Sequence, residues 1–271
     1  MPENKDDLAL LSRVCRQAGD IALRYFRQDV EIWIKAGNSP VSEADLVIDR
    51  FLKQELLAAR SDYGWISEET VDERPRRFYQ RYFMVDPIDG TRGFLEHKSE
   101  WCISVAVMEA GRPVVGVLYC PVSGTLYSAS LGDGAFLNGE RMATLPRGLE
   151  RKPVISLASS MRGSFSSQWI EKIECAPYVP SLACRIAFVA ENRFDFLWVR
   201  PNCHDWDIAA AALILHECGG ALSALEKQED GALTLRAITY GLPPYRHGFL
   251  LGCGNFQQEL GVALVQAAAL V

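Results

Sequence analysis

Asp86-Pro87-Ile88-Asp89-Gly90-Thr91 is the stretch from which the rest of this chain can be read. The apolar run Tyr82-Phe83-Met84-Val85 leads straight into it and predicts a buried strand. Pro87 keeps Asp86 extended and out of helix. Gly90 permits a sharp turn that a Cβ would hinder. Both aspartates are thus expected on one bend at a strand end, facing the same point. Two carboxylates held together repel, and a proton or a cation must offset the charge. Oxygen ligands of this kind suit a hard divalent ion such as Mg²⁺. Thr91 adds a hydroxyl, and a helix starting at Gly90–Arg92 would offer amides to a phosphate. Taken alone, the hexapeptide fits a surface turn equally well, since Asp-Pro and Asp-Gly are common turn dipeptides.

Beyond the turn, the apolar runs Trp101–Glu109 and Pro113–Pro121 are joined by Ala110-Gly111-Arg112, a hairpin signal. Gly124–Leu131 and Ala135–Leu137 read as further strands. Before it, residues 6–28 carry Leu8, Leu11, Val14, Cys15, Ala18, Ile21, Ala22, Tyr25 and Phe26 at helical spacing. A short strand, Val30–Lys35, and a loop, Ala36–Pro40, lead to Ser42, a helix cap with Asp45 at the third helical position. Leu46, Ile48, Leu52, Leu56 and Leu57 continue that second helix. Tyr63–Ser67 reads as a strand ending at Glu68-Glu69, and 72–81 as a charged, mobile stretch. Helices followed by a run of strands predict a layered α+β unit with an antiparallel sheet over residues 1–146.

Arg147–Lys152 is polar and patternless, and a domain boundary is placed there. Over residues 147–271, strands at Val154–Ala158, Tyr178–Pro180, Phe194–Val199, Ala221–Ser223 and Gly248–Leu251 alternate with helices. The helices are expected at Phe165–Glu174, Leu182–Ala190, Asp207–Cys218 and Phe256–Ala269. That alternation predicts an α/β half. Gln228–Leu242 fits neither pattern.

The 271 residues are 49% apolar and 23% charged, ordinary for a soluble globular chain that forms one large domain or two sharing a cleft. A formal charge of −6 gives no general attraction to nucleic acid or to an anionic membrane. An anionic substrate would therefore need local cations. The eight cysteines, Cys15, Cys102, Cys120, Cys175, Cys184, Cys203, Cys218 and Cys253, include no Cys-x-x-Cys pair, and most read as core thiols. No basic-then-apolar signal opens the chain, and Gly261–Val271 is too short to span a bilayer. A cytoplasmic, reducing setting is expected. His97, His204, His216 and His247 show no ligand spacing, and Trp206 reads as packing at a helix start.

Further acids accompany the central turn. Glu68 and Glu69 end a strand, and Asp45 starts a helix, where alone it would only complement the helix dipole. Asp207 lies in Asp205-Trp206-Asp207-Ile208-Ala209-Ala210-Ala211-Ala212, which runs to Glu217-Cys218-Gly219-Gly220; alone it would be a helix cap. The alanines permit close packing against a neighbouring element. In this order, the acidic pair, Asp-Pro-Ile-Asp-Gly-Thr and Trp-Asp-x-Ala-Ala before Glu-x-Gly-Gly resemble the inositol monophosphatase superfamily of Mg²⁺-dependent, lithium-sensitive phosphatases. The likeness includes Ser39-Pro40-Val41-Ser42-Glu43-Ala44-Asp45 and spans nearly the whole chain.

The resemblance implies a layered αβαβα sandwich with the site between its halves. It makes Glu68, Asp86, Asp89, Asp207 and the Ile88 carbonyl metal ligands, with Asp45 beside a weaker metal. Thr91 becomes the hydroxyl that orients the attacking water, and Asp45, Glu68 and Thr91 form the catalytic set. Glu69 is a supporting acid. Asp89, Gly90, Thr91 and Asp207 also face the substrate. Divalent ions lower the pKa of water, and two ions about 3.5–4 Å apart stabilise both the attacking and the leaving oxygen. Members of the family are often homodimers.

Within the family, Arg185 aligns with a lysine typical of nucleotidases. Arg200 replaces an acid that inositol enzymes tend to keep, and Asp205-Trp206-Asp207 resembles the nucleotidase acid-Trp-Asp. Gly93, where nucleotidases usually carry Glu, departs from that pattern. Arginine suits a second phosphate. The chain therefore resembles bacterial 3′(2′),5′-bisphosphate nucleotidases, which implies conversion of adenosine 3′,5′-bisphosphate to AMP, with Arg185 and Arg200 as substrate contacts. Inositol 1-phosphate hydrolysis is the alternative. A non-catalytic binding protein on the same fold is a third reading, opposed by the complete carboxylate set.

Overall fold

The computed structural model describes residues 2–35, 39–70, 79–158, 161, 163, 167–241 and 245–268. Helix α1, Pro2–Tyr25, buries Leu11, Val14, Cys15, Ala18 and Ala22 along one face. It starts earlier than its apolar period predicts. Its polar first turns are held by tertiary contacts: the buried Arg81 donates to Asn4 Oδ1 at 2.9 Å and to Asp7 Oδ2 at 3.1 Å. Strands β1, Ile32–Ile34, and β2, Pro40–Ser42, pair antiparallel, so the predicted loop is shorter than expected; residues 36–38 lie outside the described residues. Helix α2, Glu43–Ala59, follows directly.

Strands β3, Gly64–Ser67, and β4, Arg81–Asp89, come next, then the short helix α3, Thr91–Leu95. Most of the charged stretch read as mobile, residues 72–78, lies outside the described residues. Strands β5, Cys102–Glu109, β6, Arg112–Cys120, β7, Thr125–Ser130, β8, Gly134–Leu137, and β9, Glu140–Arg141, complete a sheet in sequence order from β3 to β9. Its pairings are antiparallel except β3 with β4, which is parallel and departs from the expected all-antiparallel sheet.

The second half runs β10, Val154–Ser156; α4, Ser167–Ile170; β11, Glu174–Cys175; α5, Leu182–Ala190; β12, Phe196–Val199; α6, Asp205–Glu217; β13, Gly220–Lys227; β14, Leu233–Ala237; β15, Leu250–Gly254; and α7, Gln258–Ala267. The second sheet has the order β11-β10-β12-β15-β13-β14, and only β10 pairs in parallel, with β11 and β12. It is therefore a mixed sheet, in the half where alternation of strands and helices predicts α/β. Tyr178–Pro180 is not a strand. Pro177 and Pro180 lack the N–H a ladder needs, and the edge strand forms earlier, at Glu174–Cys175.

Helices α1 and α2 cover one face of the first sheet, α5 and α6 lie between the two sheets, and α7 covers the outer face of the second. The layer order is αβαβα. Strand alternation feeds the layers: Phe83, Val85, Val105 and Val107 point to α1 and α2, whereas Tyr82, Met84, Ala106 and Met108 join Ala187, Ala210, Ile214 and Leu222 in the middle core. Both faces of β4 are covered, which is why it reads as an unbroken apolar run. The alanine stretch of α6 lets its backbone approach β6: a Cβ on Gly116 would meet Ala210 O at 2.8 Å. Gly116→Val is expected to destabilise the protein by roughly 1–3 kcal/mol in urea unfolding through overpacking. An unchanged midpoint would show that this helix-on-sheet contact tolerates a side chain. Among the described residues no helix is long and apolar enough to cross a membrane.

Candidate active site

In a regular strand, residues three apart point to opposite faces. Asp86 and Asp89 escape this rule because β4 carries an irregularity between them. Asp86 pairs with Ser104 and Asp89 with Cys102, so β4 uses one residue more than β5. Pro87, with no N–H to donate, sits within that bulge. Gly90 follows at φ 96°, a left-handed conformation that turns the chain straight into α3.

Two helix starts supply the other aspartates. Asp45 and Asp207 both sit third in their helices, and each accepts a hydrogen bond from the amide before its helix: Ser42 N at 2.8 Å and His204 N at 2.7 Å. Glu68 follows the end of β3, held in place by its backbone N–H donating to Val85 O at 3.1 Å. The preceding Ser67 and the following Thr70 both donate through their hydroxyls to the buried Asp49 carboxylate on α2.

Glu68, Asp86 and Asp207 converge, each offering a carboxylate oxygen within 4.8 Å of the others. Asp89 lines the same cavity, with its Oδ2 accepting from the Ser181 hydroxyl and from Ala183 N at 2.7 Å. The Thr91 hydroxyl lies 3.1 Å from both Asp45 Oδ1 and the Ile88 carbonyl, with one proton to donate to either. Glu69 stands apart from the convergent set and pairs with Lys35 Nζ at 2.8 Å, while the same ammonium reaches Glu68 at 2.7 Å.

Crowded acid in a low-dielectric cleft resists ionisation. Burial, and then the charges of Glu68, Asp89 and Asp207, push Asp86 well above the usual carboxylate range. Burial with Glu68 and Asp89 does the same to Asp207. Burial pushes Asp89 up to about 7 and Glu69 up to about 7, each against hydrogen bonds that pull down. Asp45 is raised by burial to about 6, against hydrogen bonds from Ser42 and Thr91. For Lys35 burial works the other way, but Glu68 and Glu69 hold its ammonium above the ordinary range. A compact set of hard oxygen donors that cannot all be charged unaided fits a hard divalent cation.

The cavity is about 750 Å³ and is also lined by Gly90, Arg92, Tyr178, His204, Trp206 and Arg246. The arginines singled out from the sequence are not among its lining residues. Arg185 is turned inward, donating to Ser156 Oγ at 2.9 Å and Trp198 O at 3.1 Å, and burial lowers its pKa to about 10. Arg200 is exposed. Among the described residues the cavity's cations are instead Lys35, Arg92 and Arg246. Gly93 has a steric reason: a Cβ there would lie 2.6 Å from Pro180.

Sequence reasoning passed over Asp49, Ser181, Lys35 and Arg246. Asp49 had a signal, being four residues after Asp45 on the same helical face. Ser181 did too, as a cap before α5, accepting from Cys184 N at 2.9 Å. Arg246 had none. It is placed by long-range contacts: its Nε donates to His204 Nε2 at 3.1 Å, and the His204 ring stacks on Trp206 with centroids 4.6 Å apart.

The family model for the inositol monophosphatase family matches residues 3–252. An inositol-1-monophosphatase of Rhizobium meliloti (strain 1021) is 32% identical over 201 residues, covering 71% of this chain and 75% of that protein. The 3′(2′),5′-bisphosphate nucleotidase CysQ of Aggregatibacter actinomycetemcomitans is 26% identical over 229 residues, covering 79% and 83%. A solved Thermotoga maritima IMPase shares the fold with a TM-score of 0.83 at 24% identity, covering 97% of this chain and 98% of that one. The chain belongs to the inositol monophosphatase family and is a metal-dependent phosphoric monoester hydrolase.

Proposed function

We propose that this hydrolase uses Mg²⁺ and acts as a 3′(2′),5′-bisphosphate nucleotidase, converting adenosine 3′,5′-bisphosphate to AMP and phosphate. The observation that carries the substrate choice is the flat His204–Trp206 stack beside the carboxylates, rings 7° from parallel, with Arg246 seated on its edge. An aromatic surface next to guanidinium groups suits a nucleobase and a second phosphate. The nucleotidase relative agrees with this reading. Glu68, Asp86, Asp207 and the Ile88 carbonyl are the residues that would hold Mg²⁺, with Asp89 beside them. Bound there, the ion supplies Lewis-acid polarisation and lowers the pKa of water.

The chain's own residues supply positioning and a proton acceptor. When Thr91 donates to Asp45, its oxygen is left to accept one O–H of the attacking water. With its pKa raised to about 6, Asp45 is matched to taking up that proton near neutral pH. The first turn of α3, Gly90–Arg92, lines the cavity where the phosphate oxygens would lie. Glu68 orients the water from the end of the neighbouring parallel strand, β3.

Hydrolysis of inositol 1-phosphate is the second reading, favoured by the 32% identical Rhizobium meliloti relative. Parallel assays on adenosine 3′,5′-bisphosphate and inositol 1-phosphate with Mg²⁺ separate the two. A clear preference for the inositol ester would overturn the nucleotidase assignment. Under that assignment Arg246→Ala should raise KM for the bisphosphate by about tenfold, the loss of one charge-assisted contact. It should leave kcat little changed. An equal rise for AMP-sized monoesters would place Arg246 on the scissile phosphate instead.

A further inference from the structure

Three of the eight cysteines meet in the middle layer, behind Asp89. Cys102 opens β5, Cys120 closes β6 and Cys184 lies in the first turn of α5. Their sulfurs all lie within 4.8 Å of one another, the Cys120–Cys184 pair at 3.6 Å, and all three residues are buried. The hydrolase chemistry uses none of them.

The spacing distinguishes two fates for such a cluster. A trigonal thiolate site with metal–sulfur bonds of about 2.3 Å puts its sulfurs about 4.0 Å apart, a value between the 3.6 Å of the Cys120–Cys184 pair and the 4.8 Å within which all three lie. A disulfide needs about 2.05 Å. Cys120 and Cys184, on a strand and a helix of adjacent layers, would have to close by about 1.5 Å to form one. We propose that Cys102, Cys120 and Cys184 form a binding site for a soft, thiophilic divalent cation such as Zn²⁺ or Cd²⁺.

Each thiol gives its proton to solvent as its sulfur binds, leaving one net negative charge at the site. Cys184 lies in the first turn of α5, the positive end of the helix dipole, which favours that charge. Thiolates select a different class of ion from the carboxylates: Mg²⁺ keeps to oxygen and the soft ion to sulfur. The two sites are mechanically linked. Cys184 N donates to Ser181 Oγ, the Ser181 hydroxyl donates to Asp89, and Cys102 is the strand partner of Asp89. An ion bound to the thiolates thus fastens the elements that position Asp89.

The test is a Cd²⁺ titration of the reduced, metal-stripped protein in excess Mg²⁺, read by thiolate-to-cadmium charge-transfer absorption. The band should saturate at about one ion per chain. Apparent affinity should fall at least tenfold in Cys120→Ala and in Cys184→Ala, and stay unchanged in Cys175→Ala. Circular dichroism checks folding, and Cys102→Ser replaces any variant that does not fold. Absence of the band, or a band untouched by Cys120→Ala, would overturn the proposal. Phosphate release plays no part in the readout, so this result stands apart from the hydrolase assignment.

Discussion

Asp207→Asn should lower Mg²⁺-dependent phosphate release by at least about a thousandfold, because a Lewis-acid site is worth several kcal/mol and each 1.36 kcal/mol is tenfold in rate. The substitution keeps size and shape. Its side-chain oxygen can still accept the His204 amide that starts α6. What it removes is charge, from a trio that converges within 4.8 Å. Two readouts should therefore move in opposite directions. Activity collapses, while the metal-free protein is equally stable or more so, since one mutually repelling carboxylate is gone. Phosphate release across a Mg²⁺ series and thermal unfolding in EDTA check both. Activity retained at Mg²⁺ saturation would take Asp207 out of the metal site. A parallel drop in melting temperature would make the loss structural.

Stability of the metal-free protein should fall as pH rises from about 5 to about 8. The sign follows from proton counting. Asp45, with a folded pKa of about 6, and Glu69 and Asp89, with about 7, remain protonated in the fold at pH values where the unfolded chain has already released those protons. Asp86 and Asp207 are shifted in the same direction. The folded state binds more protons across this window, so raising the pH favours unfolding. Lys35, raised as well, contributes its stability throughout this window and loses it only at alkaline pH. The net loss is on the order of 3 kcal/mol, or about 6–12 °C in Tm. Saturating Mg²⁺ should flatten the profile by stabilising the ionised carboxylates. Melting curves at a series of pH values, with EDTA or with Mg²⁺, measure this. A flat profile in EDTA would mean that Lys35 and the helix starts already compensate the charge.

Much of the site was legible in one dimension because its parts are local. The strand-bulge-turn at Asp86–Thr91 announces itself through Pro87 and Gly90. The cap at Ser42 and Asp45 follows from neighbours three residues apart, and helix Leu182–Ala190 has the bounds its pattern predicts. Nearest-neighbour sterics and backbone hydrogen bonding act within a few residues, so residue order carries them. The direction of a long side chain does not follow from its neighbours in the chain. Arg185 and Arg200 looked suited to phosphate, yet one is drawn onto buried carbonyls and the other lies outside the cavity. Arg246 lines the cavity that they do not, held there by a ring more than forty positions away. The pairing of β10 with β11 in place of a strand at Tyr178–Pro180, and the meeting of Cys102, Cys120 and Cys184, belong to the same category. Identity, spacing and capping are set along the backbone by short-range forces. Convergence of distant groups depends on how five layers pack, and close packing of whole surfaces answers to the entire chain at once.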